Sequence, residues 1–239
     1  MAFVNILATA SFWSTALAAY DGNRAGAVLK APAGDSFATV TGTFTVPPLT
    51  GRSRLTIWLG IGDTVEQTYV LGGGIVFNST FGSFAAFYPE KAVDTTSSVP
   101  IAVGDSITVT TTLTSPNTGT VVIENKTQNK KTEQTVAAPA TADPGRLTAQ
   151  TADWWVQAYQ AAGELVETPN YDNITFTAVS ATLGSGATVG ATGAGSFEIQ
   201  GISGQIYSKT TVEADKVVVK RQGVQVPGVP PITSPTRRS

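Results

Sequence analysis

The sequence predicts an all-β fold in a single domain, and three observations lead there. Thr, Val, Ala, Ser and Gly dominate, with 24 glycines among 239 residues, a composition of strands and turns. Residues 37–46 alternate with period two: Phe37, Thr39, Thr41, Thr43 and Thr45 against Val40, Phe44 and Val46, as a half-buried strand requires. Residues 101–125 spell a hairpin, with one strand from Ser106, a Ser-Pro-Asn-Thr-Gly turn and a second strand. A chain of this length suits one core.

Composition also narrows the chemistry. Only 13% of residues are charged and the net charge is −2, and no basic run interleaved with aromatics suggests a nucleic-acid partner. The chain contains neither Cys nor His. That removes Cys nucleophiles, Cys/His zinc sites and a Ser-His-Asp triad, and leaves no disulfide framework. Any hydrolysis must use carboxylates, amides, hydroxyls or Lys, and neither a cofactor nor a metal is expected.

Residues 1–19 carry no charged side chain and end in Ala-Leu-Ala-Ala. They read as a signal peptide, with an apolar stretch before a small-residue cleavage site, or alternatively as an N-terminal strand. The run falls short of the ~20 apolar residues a membrane-spanning helix needs. Residues 20–221 form the predicted domain. Its strand at 37–46 stops at Pro47-Pro48. In Trp58–Gly74, WLGIGDTVEQTYVLGGG, two strands are expected to meet at a tight Gly-Asp turn, with backbone freedom at the three glycines. Residues 81–90, FGSFAAFYPE, read as an aromatic strand, with Phe84, Phe87 and Tyr88 either core or ligand-facing. The segment to Val136 continues as an edge strand, where Lys130 and Lys131 guard against edge pairing.

Residues 147–162 are locally ambiguous. Trp155, Ala158, Tyr159 and Ala162 have helical spacing. As a strand, Asp153, Trp155, Gln157 and Tyr159 line one face, with Trp154 and Val156 on the other. Further short strands are expected at 173–183, 196–200, 205–213 and 216–221. The Pro-rich tail, within 222–239, reads as extended or disordered. Asn78-Ser-Thr, Asn125-Lys-Thr and Asn173-Ile-Thr are glycosylation acceptors suited to surface positions of a secreted protein. Glu164 and Glu167 read as a solvated loop rather than a glycosidase pair.

From about Gly22 to Arg221 the chain resembles the eqolisins, the fungal and bacterial glutamic endopeptidases. The segment from Trp58 resembles their W-V-G-I…Q-T-A-I-L-Q-T-G, residues 81–90 their A-W-Y-E-W-Y-P strand, and the 101–125 hairpin their S-G-D-S-I-K-V-T-V-T…S-G-T-A-K-I-E-N. Residues 147–162 align with A-E-W-I-V-E-D-F, which favours the strand reading. The resemblance implies a two-sheet antiparallel β-sandwich of concanavalin-A-like, jelly-roll type with a concave groove. In that family a glutamate activates water and a glutamine amide donates to the oxyanion, chemistry that suits acid pH.

The resemblance places Asp153 at the glutamate position, one methylene short; near-attack geometry makes such a retreat worth about a hundredfold. The glutamine position falls on Gly72 in an ungapped alignment. A gap instead puts Gln67 there, on a strand face shared with Val65, Tyr69 and Leu71. Arg24 stands where the family has Trp, and Ala86 where it has Glu. Trp58, Tyr69, Phe84, Tyr88, Trp155 and Arg24 are the expected substrate-binding residues.

Three functions follow as expectations. The first is a pseudopeptidase binding peptide, protein or glycan. The second is a weak, metal-independent acid endopeptidase with Asp153 as base and Gln67 as oxyanion donor. The third is a groove retooled for small-molecule chemistry. The expected protein is a monomer without a membrane span, secreted or, alternatively, cytoplasmic.

Overall fold

Side-chain alternation along the strands builds two sheets that close face to face on one core. The computed structural model describes residues 18–50, 53–63, 67–161, 164–165, 168–202 and 204–223. In chain order these form β1 (Ala19–Asp21), β2 (Arg24–Lys30), β3 (Phe37–Thr45), β4 (Leu55–Gly62), β5 (Val70–Asn78), β6 (Thr80–Tyr88), β7 (Val93–Asp94), β8 (Ser106–Ser115), β9 (Thr118–Asn125) and β10 (Lys130–Ala137). A short 3-10 turn at Pro144–Arg146 leads to β11 (Thr151–Gln157). The remaining strands are β12 (Gln160–Ala161), β13 (Glu164–Leu165), β14 (Asn173–Leu183), β15 (Thr188–Val189), β16 (Gly195–Ile199), β17 (Ser208–Val212) and β18 (Val217–Arg221).

The first sheet runs β1-β16-β2-β11-β4-β5-β6-β7 and the second β10-β9-β8-β3-β14-β18-β17, with β15 on β14. The β1–β16 pair is parallel; the other pairings are antiparallel. Among the described residues there is no α-helix, and none is long and apolar enough to cross a membrane. The leader reading lies almost wholly outside the described residues, as do Val65, Glu66, Glu167 and residues 224–239 of the tail.

The core sits between the sheets. Leu55, Ile57, Leu59 and Ile61 of β4 face Val109, Val121 and Ile123 of the second sheet, and Trp154 and Val156 of β11 join them. Burying such side chains stabilises the fold by ~1.5–3 kcal/mol each. Residues 151–157 are strand because their two tryptophans are both buried on opposite faces, which period two permits and a helix does not.

Local reading fails at four places. Phe37, grouped with the threonines by alternation, is buried in the core. A register shift between Thr182 and Leu183 of β14 pairs Leu183 with Phe37 and turns the residue over, as a bulge does. No tight turn joins β4 to β5. The strands part after the Gly62–Val70 pair, and the 63–69 loop is closed at its neck by the Asp63 N–H donating to the Tyr69 carbonyl at 3.1 Å. The three glycines expected to loosen the chain lie inside β5. Finally, Asn125 is no glycan acceptor. It is fully buried, its amide donating to the Pro100 carbonyl and to Asp105 Oδ2 at 2.9 and 2.7 Å. Asn78 and Asn173 are exposed.

Lys130 and Lys131 are exposed on β10, at the open edge of the second sheet. That is where charge discourages further pairing.

Candidate active site

Strand register arranges the outer face of the first sheet, the face turned away from the second sheet. One row across it reads Val28, Asp153, Gly60, Gly72, Ala86. The neighbouring row reads Gly26, Trp155, Trp58, Gly74, Phe84. Val28, Trp58, Val70 and Trp155 form a second apolar cluster there, with Phe84 and Phe197 against it. Above this floor lies a groove of about 920 Å³, reached by Arg24, Gln67, Gly72, Phe84, Ala86 and Tyr88 among others.

Gly60 and Gly72 keep the floor low because neither tolerates a side chain. A Cβ on Gly72 would lie 2.6 Å from the Leu59 carbonyl oxygen, and one on Gly60 would lie 2.5 Å from that of Leu71.

Gln67 reaches the row from the 63–69 loop rather than from a strand. Its backbone has φ 58, in the left-handed region uncommon outside glycine. The expected strand face shared with Tyr69 and Leu71 does not exist. Leu71 is in the inter-sheet core, and Val70 faces the groove. The Gln67 amide nitrogen donates to Asp153 Oδ2 at 2.6 Å. The amide oxygen accepts from the Arg24 guanidinium. Arg24 is held in turn by Asp21, whose Oδ2 accepts from its Nε and Nη2 at 3.0 and 2.8 Å. The guanidinium also stacks on Trp155, 5.0 Å from the ring centre.

Gln67 and Arg24 therefore lie over Asp153 and Trp155. Asp153 was expected to project into an open trough. It does face that side, but it is wholly buried and does not line the groove. Thr151 Oγ1 donates to Oδ2 at 3.2 Å, while Oδ1 and Trp155 Nε1 have no hydrogen-bond partner among the described residues. Burial pushes the Asp153 carboxyl up to about 8; the bonds from Gln67 and Thr151 and the charge of Arg24 oppose that shift only in part.

The other expected binding residues divide. Trp58 lines the groove, with Nε1 donating to Gln157 Oε1 at 3.1 Å. Phe84 and Tyr88 line it as well. Trp155 is floor beneath Arg24 and meets Phe197 edge to face, ring centres 5.3 Å apart. Tyr69 is elsewhere. Its side chain packs against the inter-sheet core and its hydroxyl accepts from the Asp143 N–H at 3.3 Å, because the loop neck sends residue 69 away from the groove. Phe87 and Ala85 belong to the core.

Sequence reasoning missed Asp21 and Thr151. Thr151 was findable, since it lies two residues before Asp153 on one strand face, and Asp21 stands three residues before Arg24. No metal-binding cluster of acidic residues occurs among the described residues.

Residues 22–221 match the Peptidase A4 family over most of the chain. This chain belongs to the Peptidase A4 family. Aspergillopepsin-2 of Aspergillus niger is 32% identical over 228 residues, covering 84% of this chain and 77% of that protein. Scytalidopepsin B of Scytalidium lignicola is 35% identical over 118 residues, 48% of this chain and 44% of that protein. Among solved structures, scytalido-glutamic peptidase with a peptide-based transition-state analog superposes with a TM-score of 0.71 at 27% identity, covering 84% of this chain and 99% of that one. Aspergilloglutamic peptidase from Aspergillus niger gives 0.62 at 28% identity, covering 71% and 99%. The sandwich and the kinship with glutamic peptidases are thereby established. In this Peptidase A4 member, the Gln67 amide and the Asp153 carboxyl are brought into direct contact on the outer face of the first sheet.

Proposed function

We propose that this chain is a peptide-binding member of the Peptidase A4 family in which peptide-bond hydrolysis is suppressed. One observation carries the reading: both ends of the Gln67 amide are occupied, the nitrogen by Asp153 and the oxygen by Arg24. An oxyanion donor must be free to meet developing charge. This amide must first break two bonds, one of them charge-assisted. Asp153 adds a second obstacle. With its carboxyl up near 8, it is a neutral acid at the acidic pH where a carboxylate base would work. Gly72 and Ala86, on either side of the β5–β6 ladder in the same row, add no polar side chain.

Peptide is the ligand class because a relative of this fold holds a peptide-based analog and this chain retains a groove with an aromatic floor. The contrary reading, a slow acid endopeptidase, draws on the same 2.6 Å contact, which brings acid and amide together as the chemistry needs. Incubation with a denatured protein across pH 2–7 separates the two. No cleavage, together with saturable binding of unfolded peptides, is the expected result. Cleavage that disappears in Asp153→Asn would establish the endopeptidase instead. Secretion is part of the proposal, supported by the exposed acceptors Asn78 and Asn173; a mass shift on deglycosylation of the secreted protein tests it.

A further inference from the structure

The two walls of the groove carry opposite charge. Arg54 lines one wall, just before β4, and is exposed. Its guanidinium stacks on Tyr159 at 4.3 Å from the ring centre, and the Tyr159 hydroxyl is tied to Thr56 Oγ1 at 2.8 Å. The stack fixes the side chain without using its N–H groups. Arg54 forms no ion pair among the described residues.

Glu90 and Asp94 line the opposite wall, beyond β6 and on β7. Neither is ion-paired among the described residues. Lys91, between them, does not line the groove. The Asp94 carboxyl accepts from the Thr96 N–H at 2.9 Å, and bonds from Thr96 hold it below the usual carboxylate range, so its charge persists into acid.

We propose that the groove selects dipolar peptides, an acidic side chain pairing with Arg54 and a basic one with Asp94 and Glu90. The proposal rests on the groove being a peptide site. Register sets its length. Asp94 pairs with Phe84, which shares a row with Trp58, four residues beyond Arg54. Four residues along β4 and three strand spacings across give about 20 Å, the span of roughly six extended residues. The aromatic floor between the walls accepts apolar residues in the middle of the peptide. Charge complementarity at an open rim tunes selection more than total affinity.

Fluorescence anisotropy with the full chain at low salt tests this. The probes are labelled peptides of one apolar sequence, ending in Asp and Lys in either order, in two Lys, or in neutral Asn and Gln. The dipolar peptides should bind roughly three- to tenfold tighter than the neutral one, the scale of two exposed ion pairs. Salt should erase the difference. In Arg54→Glu the two-Lys peptide should become the preferred ligand, and an unchanged melting temperature reports an intact fold. Equal binding of neutral and dipolar peptides, or an unchanged preference in Arg54→Glu, overturns the dipolar assignment and leaves the peptide groove standing. Failure of every peptide to bind overturns both.

Discussion

The two faces of β11 differ in how their tryptophans are finished. Trp154 and Trp155 are neighbours, and both are fully buried. Trp154 enters the inter-sheet core, where its Nε1 donates to the Thr41 carbonyl at 3.0 Å. Trp155 faces outward, its Nε1 without a partner among the described residues, and Asp153 Oδ1 on the same face of β11 is in the same condition. A buried polar atom left unpaired typically costs ~1–3 kcal/mol. The core face is completed by sheet packing alone. The groove face is completed by a loop amide and an arginine laid over it, and that closure leaves polar groups unsatisfied. Thr111 Oγ1, fully buried on the core-facing side of β8, also lacks a partner among the described residues. What sets the groove face apart is that its cover is a loop amide and an arginine instead of a second sheet.

The largest test of this contrast strikes the core. Trp154→Ala should lower stability by about 3–5 kcal/mol, because it opens a cavity between the sheets and strips the Thr41 carbonyl of its donor. Thermal or urea unfolding would register it, and a small effect would deny the core its special status. The groove floor should be stiffer than its glycines suggest. Gly72→Gln, which restores the family side chain in the ungapped alignment, should destabilise by roughly 1–3 kcal/mol through backbone collision with Leu59. A neutral effect on the melting temperature would mean that β4 and β5 can separate.

The smallest effect is the sharpest, because it has a sign and a pH window. Asp153 has its carboxyl raised to about 8 in the fold, from 3.8. Between those values the unfolded chain is ionised at this position while the folded chain keeps its proton. Stability from this group is therefore full below about pH 4 and is lost as pH rises toward 8. Asp153→Asn, which cannot ionise, should melt higher than the parent at pH 7 by at least about 1 kcal/mol, or roughly 3 °C. The advantage should shrink to nothing near pH 4. An advantage independent of pH would mean that Asp153 is ionised throughout, and the argument against a catalytic base would lose its footing.

Much of this arrangement was legible in the sequence. The threonine alternation of β3, the 106–125 hairpin and the closing strands appear where they were expected, because strand periodicity is a short-range signal. The same rule placed Asp153, Trp155 and Gln157 on one face once residues 151–157 were read as a strand. It misjudged Phe37, since a bulge depends on the partner strand and not on the strand's own pattern. Likewise period-two alternation put Tyr69 on one strand face with Gln67, yet residue 67 is not in a strand and the loop neck turns the two apart.

Taken alone, the chain's order of residues decides its strands, its family and the side of β11 on which the acid lies. Folding alone decides that Gln67 caps Asp153 across 86 residues of chain and that Arg24 seals Gln67 across 43. The reason is physical. Which face a strand residue takes follows from its immediate neighbours, whereas which loop closes over that face depends on where distant strands bring their ends.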